Sequence, residues 1–204
     1  MTSMLTKVAK LEKQAEERDE RRQARRDELA RSAIATLSVL GYSQTSLRDI
    51  AEHSGKSVGL IHYYFADKDE LIVHCIALYK QGLIDTVDDL MASVRSPQEA
   101  RNVFVEAMVS TVEEQAKHHR LWYDINAQAM FNPRIQPELW AIEKRLVAMI
   151  GRMFEKAGID PSLQVEGFTS IEGAFHHYLF QYLFDEPNSL ERFREHLHVV
   201  LNRF

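Results

Sequence analysis

Cysteine is almost absent: Cys75 is the single one in 204 residues. No disulfide can close within the chain, and a reducing, cytoplasmic setting is expected. Cys75 itself reads as a small buried hydrophobe on a helix rather than as a redox sensor. Glycine and proline are scarce, at 8 and 5 residues. Alternating apolar–polar runs are missing, which argues against strands. No internal repeat or low-complexity linker is present. The segment Met1–Arg22 is charged and lacks an apolar core, so no secretory signal is expected. No apolar run is long enough to span a bilayer, so no membrane partner is expected. Also missing are G-x-S-x-G, H-E-x-x-H, the P-loop and G-x-G-x-x-G. The chain is therefore read as a non-enzyme without a cofactor.

What is present is apolar residue at helical spacing, 45% hydrophobic in all, enough to bury a core over one or two domains. Caps and breakers mark out the helices. The first runs from about Arg22 to Leu40 and is closed by Gly41-Tyr42. Residues 1–20 form a charged extension, with only Leu5, Val8 and Leu11 as a possible helix face. They are either a tail or a continuation of the first helix. The arginines Arg18, Arg21, Arg22, Arg25 and Arg26 form a salt-bridged helix start or an arm that reaches phosphate. Asp67-Lys68-Asp69-Glu70 has the pattern of a capping box and opens a long helix to about Val94. Ser96-Pro97-Gln98-Glu99 repeats the signature, opening a helix to about His118. A shorter helix is expected over Leu121–Phe131, broken by Asn132-Pro133 and Pro137, and another runs to about Ala157. Asp160-Pro161 opens a helix over Ser162–Phe184, and Pro187-Asn188-Ser189 leads into a last one ending at Arg203. The expected fold is all-α. Three helices form an N-terminal helix-turn-helix domain over 21–66, and six form a larger domain over 67–204.

The net charge of −5 is unevenly spread. Residues 1–80 carry 13 Lys+Arg against 12 Asp+Glu, and residues 81–204 carry 12 against 18. The asymmetry points the N-terminal part toward phosphate.

The densest signal is TSLRDIAEHSGKSVGLIHYYFADKDEL, residues 45–71. Thr45 or Ser46 can cap a short helix beginning Leu47-Arg48-Asp49-Ile50-Ala51, with Ile50 and Ala51 turned inward. Gly55 supplies a turn of positive φ. Ser57 caps a second short helix, Val58 to Tyr63. Gly59 lets that helix approach a surface closely, and His62-Tyr63-Tyr64 set three polar-tipped rings at its end. Two short helices across a tight turn are the layout with which a helix-turn-helix grips DNA.

These residues resemble the TetR family of bacterial one-component regulators. The resemblance rests on Thr45, Ile50-Ala51, Ser54-Gly55-Lys56-Ser57, Gly59, His62-Tyr63-Tyr64-Phe65, Lys68 and Leu71. Lys56 and His62 depart from the Val and Tyr usual in that family. The resemblance implies a homodimeric, ligand-responsive repressor on a palindromic, double-stranded DNA operator. It implies DNA contacts from Arg48, His62, Tyr63, Tyr64 and Lys68, and puts Phe65 in the core. Lys56, Ser57, Val58, Gly59 and Leu60 complete the expected DNA surface. The recognition helix has no Arg, Asn or Gln. Base reading is therefore expected from apolar contact with thymine methyls, from the backbone at Gly59, or from Lys56 and Arg48.

The larger domain is rich in aromatic residues. In similar proteins it surrounds a small-molecule effector pocket. Tyr123, Asn126 and Met130 share one helix face beside Trp122, and these four with Phe175 and Tyr178 are the expected ligand contacts. The Leu121–Pro133 stretch is faintly similar to the effector region of choline-responsive repressors. The pairs His118-His119 and His176-His177 point about 100° apart on a helix, so no metal site is expected. His118-His119 read as imidazoles ending a helix at its negative dipole end. The last two helices carry an apolar stripe. Phe168, Phe175, Leu179, Tyr182, Phe193, Leu197, Val200 and Leu201 are expected to pair with a second copy. Two other readings stay open. One is an architectural DNA-binding protein without an effector, and the other is a helical small-molecule-binding protein or enzyme.

Overall fold

A computed structural model describes the backbone from Thr2 to Phe204 and the side chains from Lys13 onward. The expected face of Leu5, Val8 and Leu11 lies outside the described side chains. The described residues are all-α: eight α-helices and one short 3-10 turn. Contacts divide the chain into two compact units, Met1–Leu78 and Tyr79–Phe204, with the division inside one helix.

The smaller unit holds α1 (Thr2–Leu40), α2 (Leu47–Ser54), α3 (Val58–Tyr64) and the first turns of α4 (Lys68–Ser93). Its core is Leu29, Ala30, Ala33, Leu37, Ile50, Ile61, Phe65, Leu71, Ile72 and Cys75. Cys75 is buried and its Sγ donates to the Ala30 carbonyl at 3.3 Å. Burial pushes its thiol far above the ordinary range, so it behaves as a hydrophobe. Asp67 caps α4 by accepting from the Glu70 backbone N–H at 3.0 Å. Glu70 reaches back to the Ala66 N–H at 2.7 Å, one residue before the cap.

The larger unit holds the rest of α4, then α5 (Pro97–Ala129), α6 (Gln136–Lys156), a 3-10 turn (Pro161–Leu163), α7 (Gln164–Leu183) and α8 (Ser189–Leu201). Ser96 caps α5 through the Glu99 N–H at 3.2 Å. Two separate helices were expected where α5 runs on. No proline or glycine stands between Gln98 and Ala129. The chain instead leaves helical geometry at Gln115 alone, with φ −132° and ψ 24°, and then resumes. His118 and His119 therefore lie within a helix, and the helix-end account of them does not hold. α6 and α7 cross closely at Gly167, where a Cβ would run into the buried ring of Phe154. No helix among the described residues is long and apolar enough to cross a membrane.

Candidate functional site

The exposed face of the smaller unit is built by local chemistry. The Ser46 hydroxyl accepts from the Asp49 N–H at 3.2 Å, and the Asp49 carboxylate accepts from the Ser46 N–H at 2.8 Å. Hydrogen bonds from Ser46 hold the Asp49 carboxyl below the usual carboxylate range. Gly55 closes α2 at φ 67°, a left-handed geometry that favours glycine. Ser57 then caps α3 by accepting from the Leu60 N–H at 3.1 Å. Ile50, Ala51, Ile61 and Phe65 turn inward. The other side of α2 and α3 leaves Arg48, Gly59, Leu60, His62 and Tyr63 exposed. Tyr63 is 73% exposed. A Cβ at Gly59 would meet nothing within 4 Å, so the α3 backbone is open to close approach.

Other residues expected on DNA have partners inside the chain. Lys56 Nζ pairs with Glu28 at 3.1 Å. Lys68 Nζ donates to the Tyr42 carbonyl at 3.0 Å and lies 4.3 Å from the centroid of that ring. The Ser57 hydroxyl serves as the cap, and Val58 and Tyr64 are half-buried. The Tyr64 ring meets Tyr63 edge-on, centroids 4.9 Å apart. Arg26, one of the arginines read as a salt-bridged helix start or an arm, does structural work. Its guanidinium lies 4.6 Å from the Phe65 ring centroid, donates to the Tyr64 carbonyl at 3.1 Å and pairs with Glu70 at 2.8 Å. It fixes the exit of α3. The helical period of α1 carries the signal, since Arg26 falls three and four residues before the buried Leu29 and Ala30.

The larger unit encloses a polar cluster in an apolar interior. Lys80 is 3% exposed. Its Nζ lies 4.7 Å from the Trp122 ring centroid and 5.7 Å from that of Tyr79. Burial lowers its pKa to about 8, and the nearby Glu172 carboxylate works against that fall. Glu172 accepts from Trp122 Nε1 at 3.2 Å. His119, fully buried, has Nε2 2.9 Å from Thr111 Oγ1 across the kink of α5. Burial holds it neutral, well below the ordinary histidine pKa, and Lys80 adds to the effect. Its Nδ1 is buried without a hydrogen-bond partner, as are the hydroxyls of Tyr79 and Tyr123. Burial drives both phenol pKa values upward. Lys80, His119, Glu172 and Phe175 line a cavity of about 30 Å³, walled otherwise by Leu, Met, Ile and Phe. That volume accommodates a water molecule or so.

The six expected ligand residues are not brought together. Phe175 lines the cavity, and Trp122 and Tyr123 stand beside it through Lys80 and Glu172. Asn126 and Met130 instead border a separate open groove of about 400 Å³ with Trp140 and Glu143. Met130 is 71% exposed. Tyr178 packs on Phe193, with its hydroxyl 3.3 Å from His196 Nδ1. Lys80 and Glu172 were missed. Lys80 falls on the buried stripe Ile72, Ile76, Ile84 and Val87, where a charge is out of place. Among the described residues, no group of three or more His, Cys, Asp or Glu could hold a metal.

The expected dimer stripe is also corrected. Phe193, Leu197 and Leu201 are fully buried within one chain, and Phe168, Phe175, Leu179 and Val200 nearly so. Tyr182 is half-buried. These side chains pack α8 onto α5 and α7. The apolar residues that α7 and α8 leave outside are Val165, Phe180, Phe184 and Val199.

The family model for bacterial regulatory proteins of the tetR family matches residues 29–75, the segment that carries this helix-turn-helix. The HTH-type transcriptional regulator PksA of Bacillus subtilis is 28% identical over 105 residues, 52% of this chain and 51% of PksA. The chain thus spans about half the length of that curated relative. A TetR transcription regulator from Haloarcula marismortui shares the fold, with TM-score 0.73 and 17% identity over 89% of this chain and 98% of that one. A transcriptional regulator from Saccharomonospora viridis, solved in complex with choline, matches at TM-score 0.72 and 17% identity, over 88% and 96% of the two chains. The N-terminal motif, the helical order and these likenesses agree: over residues 29–75 the chain is similar to bacterial regulatory proteins of the tetR family, and its helical fold is that of TetR regulators.

Proposed function

We propose that the protein is a DNA-binding transcriptional regulator, a repressor released from a roughly palindromic operator by a small molecule. The open face of α3 supports this most directly. Gly59 offers bare backbone, and Arg48, Leu60, His62 and Tyr63 stand around it in solvent. Backbone and phosphate contacts position such a helix, and base-edge contacts give it sequence preference. Gly59→Glu sets a carboxylate against phosphate in a place where nothing in the chain is disturbed. An electrophoretic shift with the DNA upstream of its own gene should be lost in this variant, with the melting temperature unchanged. Binding that survives the substitution would move the DNA contact off α3.

A second copy of the chain is proposed to pair through the outer face of α7, where Val165, Thr169, Gly173, Phe180 and Phe184 follow one another at helical spacing. Gly173 has nothing within 4 Å of a would-be Cβ, so a second helix can approach it. A two-fold pairing of this kind sets two recognition helices on two half-sites. Phe180→Glu should shift sedimentation to monomer while leaving the melt intact. Leu197→Glu, set in the core, should instead unfold the larger unit. Dimeric Phe180→Glu would place the interface elsewhere.

The effector is proposed to enter the cluster around Lys80, and α4 is the continuous helix that links it to the DNA unit in the chain. The relative solved with choline suggests a cationic effector. Here, however, Lys80 already presents an ammonium to the face of Trp122, so a quaternary ammonium has to displace it. The small volume of the cavity favours a second reading, a DNA-binding protein with no effector. A ligand that raises the melting temperature and releases DNA decides for the first.

A further inference from the structure

We propose that the interior site of the larger unit takes a small molecule with an apolar body and a carboxylate head, the head pairing with Lys80 Nζ. This rests on the reading of the larger unit as an effector module. Lys80 is 3% exposed, lines the cavity and donates to no acceptor among the described residues. The Glu172 carboxylate stands near enough to offset part of its charge, but a buried ammonium is expensive unless it is also hydrogen-bonded. Around it, the hydroxyls of Tyr79 and Tyr123 also lack partners at close hydrogen-bond distance, with Thr111 near the first and Glu172 near the second. The charged acceptor close by, Glu172, already receives Trp122 Nε1. The cluster is therefore rich in donors and short of acceptors. A carboxylate supplies two acceptor oxygens and a negative charge that can contact the ammonium directly. A cationic ligand supplies no acceptor and puts a second positive charge beside the first in a site of low dielectric.

The rest of the cavity wall, Leu83, Met108, Leu146, Met149, Ile150 and Phe168, offers no polar side chain and suits an aliphatic or aryl body. Met108 and Met149 have the torsional freedom to open the closed cavity around such a body. Acetate, with a head and no body, should therefore bind weakly.

The test uses the full chain. Calorimetric titration and thermal shift are run with a series of carboxylates from butyrate to decanoate and with phenylacetate. Each carboxylate is matched to its primary alcohol, and acetate and choline are included. At least one carboxylate should bind about tenfold or more tightly than its alcohol. In Lys80→Met that ratio should fall to about one. Lys80→Gln is a second neutral variant should the first fail to fold. Glu172→Gln, which leaves the ammonium less opposed, should hold or raise the ratio. The proposal is overturned if every carboxylate binds like its alcohol, if the ratio survives in the neutral variants, or if choline binds and the carboxylates do not. Alcohols or choline that bind and release DNA would leave the effector module standing and remove only the charge class. A panel that shifts neither melting nor DNA binding would remove both readings.

Discussion

Two lysines of α4 face aromatic rings in unlike settings. Lys68 Nζ lies 4.3 Å from the Tyr42 ring centroid and donates to the carbonyl of that residue at 3.0 Å. The Tyr42 hydroxyl in turn donates to Asp69 at 2.6 Å, so both ends of the ring are tied to the start of α4. Lys80 Nζ lies 4.7 Å from the Trp122 ring centroid and has no acceptor among the described residues. Lys68 keeps some contact with water, and Lys80 has almost none. The ring contact is common to both, so it cannot be what separates them. The separating quantity is hydrogen-bond satisfaction. Lys68 with its acceptor is a lock on the fold, whereas Lys80 without one is a cost to the fold.

The largest effect expected from this contrast is at Lys80. Lys80→Met removes the charge and keeps the length of the side chain, and should stabilise the protein at neutral pH by about 1–3 kcal/mol, the cost of burying the ammonium less its attraction to Glu172. Thermal or denaturant melts measure it. A lower melting temperature would mean that the Trp122 contact outweighs the lost hydration, and the two lysines would then be alike. The pH dependence sharpens the same point. The folded chain gives up the Lys80 proton near pH 8, and the unfolded chain holds it up to about 10.5. Between these values the unfolded state binds more protons, so stability rises with pH, by a few kcal/mol in order of magnitude. Below pH 8 both states are protonated and the penalty is constant. The stability gap between Lys80→Met and wild type should therefore be widest below pH 8 and close toward pH 10.5. A gap that stays constant over that interval would put Lys80 in water. Measuring the gap between the two proteins cancels the tyrosines and other lysines that titrate in both.

The contrast also shows what was legible in the sequence. Ser46, Gly55, Ser57 and Ser96 were readable because a cap is completed within three or four residues. The inward turn of Ile50, Ala51 and Phe65 was readable from helical period and from the family resemblance. The bend at Gln115 was not, because no proline or glycine marks it and its His119–Thr111 bond spans eight residues. The partners of Lys56 and Lys68 lie 28 and 26 residues away, at Glu28 and Tyr42, where no local pattern points. The stripe on α8 was readable as buried, but periodicity does not say which chain does the burying. Phe193 and Leu197 proved to lie in the core of their own chain. Lys80 was passed over because a lysine is ordinarily read as surface, although its place on the stripe of Ile72, Ile76 and Ile84 marked it as interior.

The smaller effect concerns Lys68, which sequence alone set against phosphate. With its ammonium on the Tyr42 carbonyl and ring, Lys68→Ala removes a charge-assisted hydrogen bond and a cation–π contact that join the loop after α1 to α4. A half-buried pair of this kind contributes about 1–2 kcal/mol, so the melting temperature should fall. The salt dependence of operator binding separates this lock from a phosphate contact. Each lysine that neutralises a phosphate adds about 0.9 to the log–log slope. Lys68→Ala should therefore lower stability and leave the slope within about half a unit of wild type. Tyr42→Phe keeps the ring and the carbonyl but loses the bond to Asp69, and should fall between the two proteins in stability. If Lys68→Ala melts like wild type and its slope drops by about one unit, the ammonium leaves Tyr42 for the DNA backbone. Lys68 would then share with Lys80 the role of a charge held for a partner outside the chain.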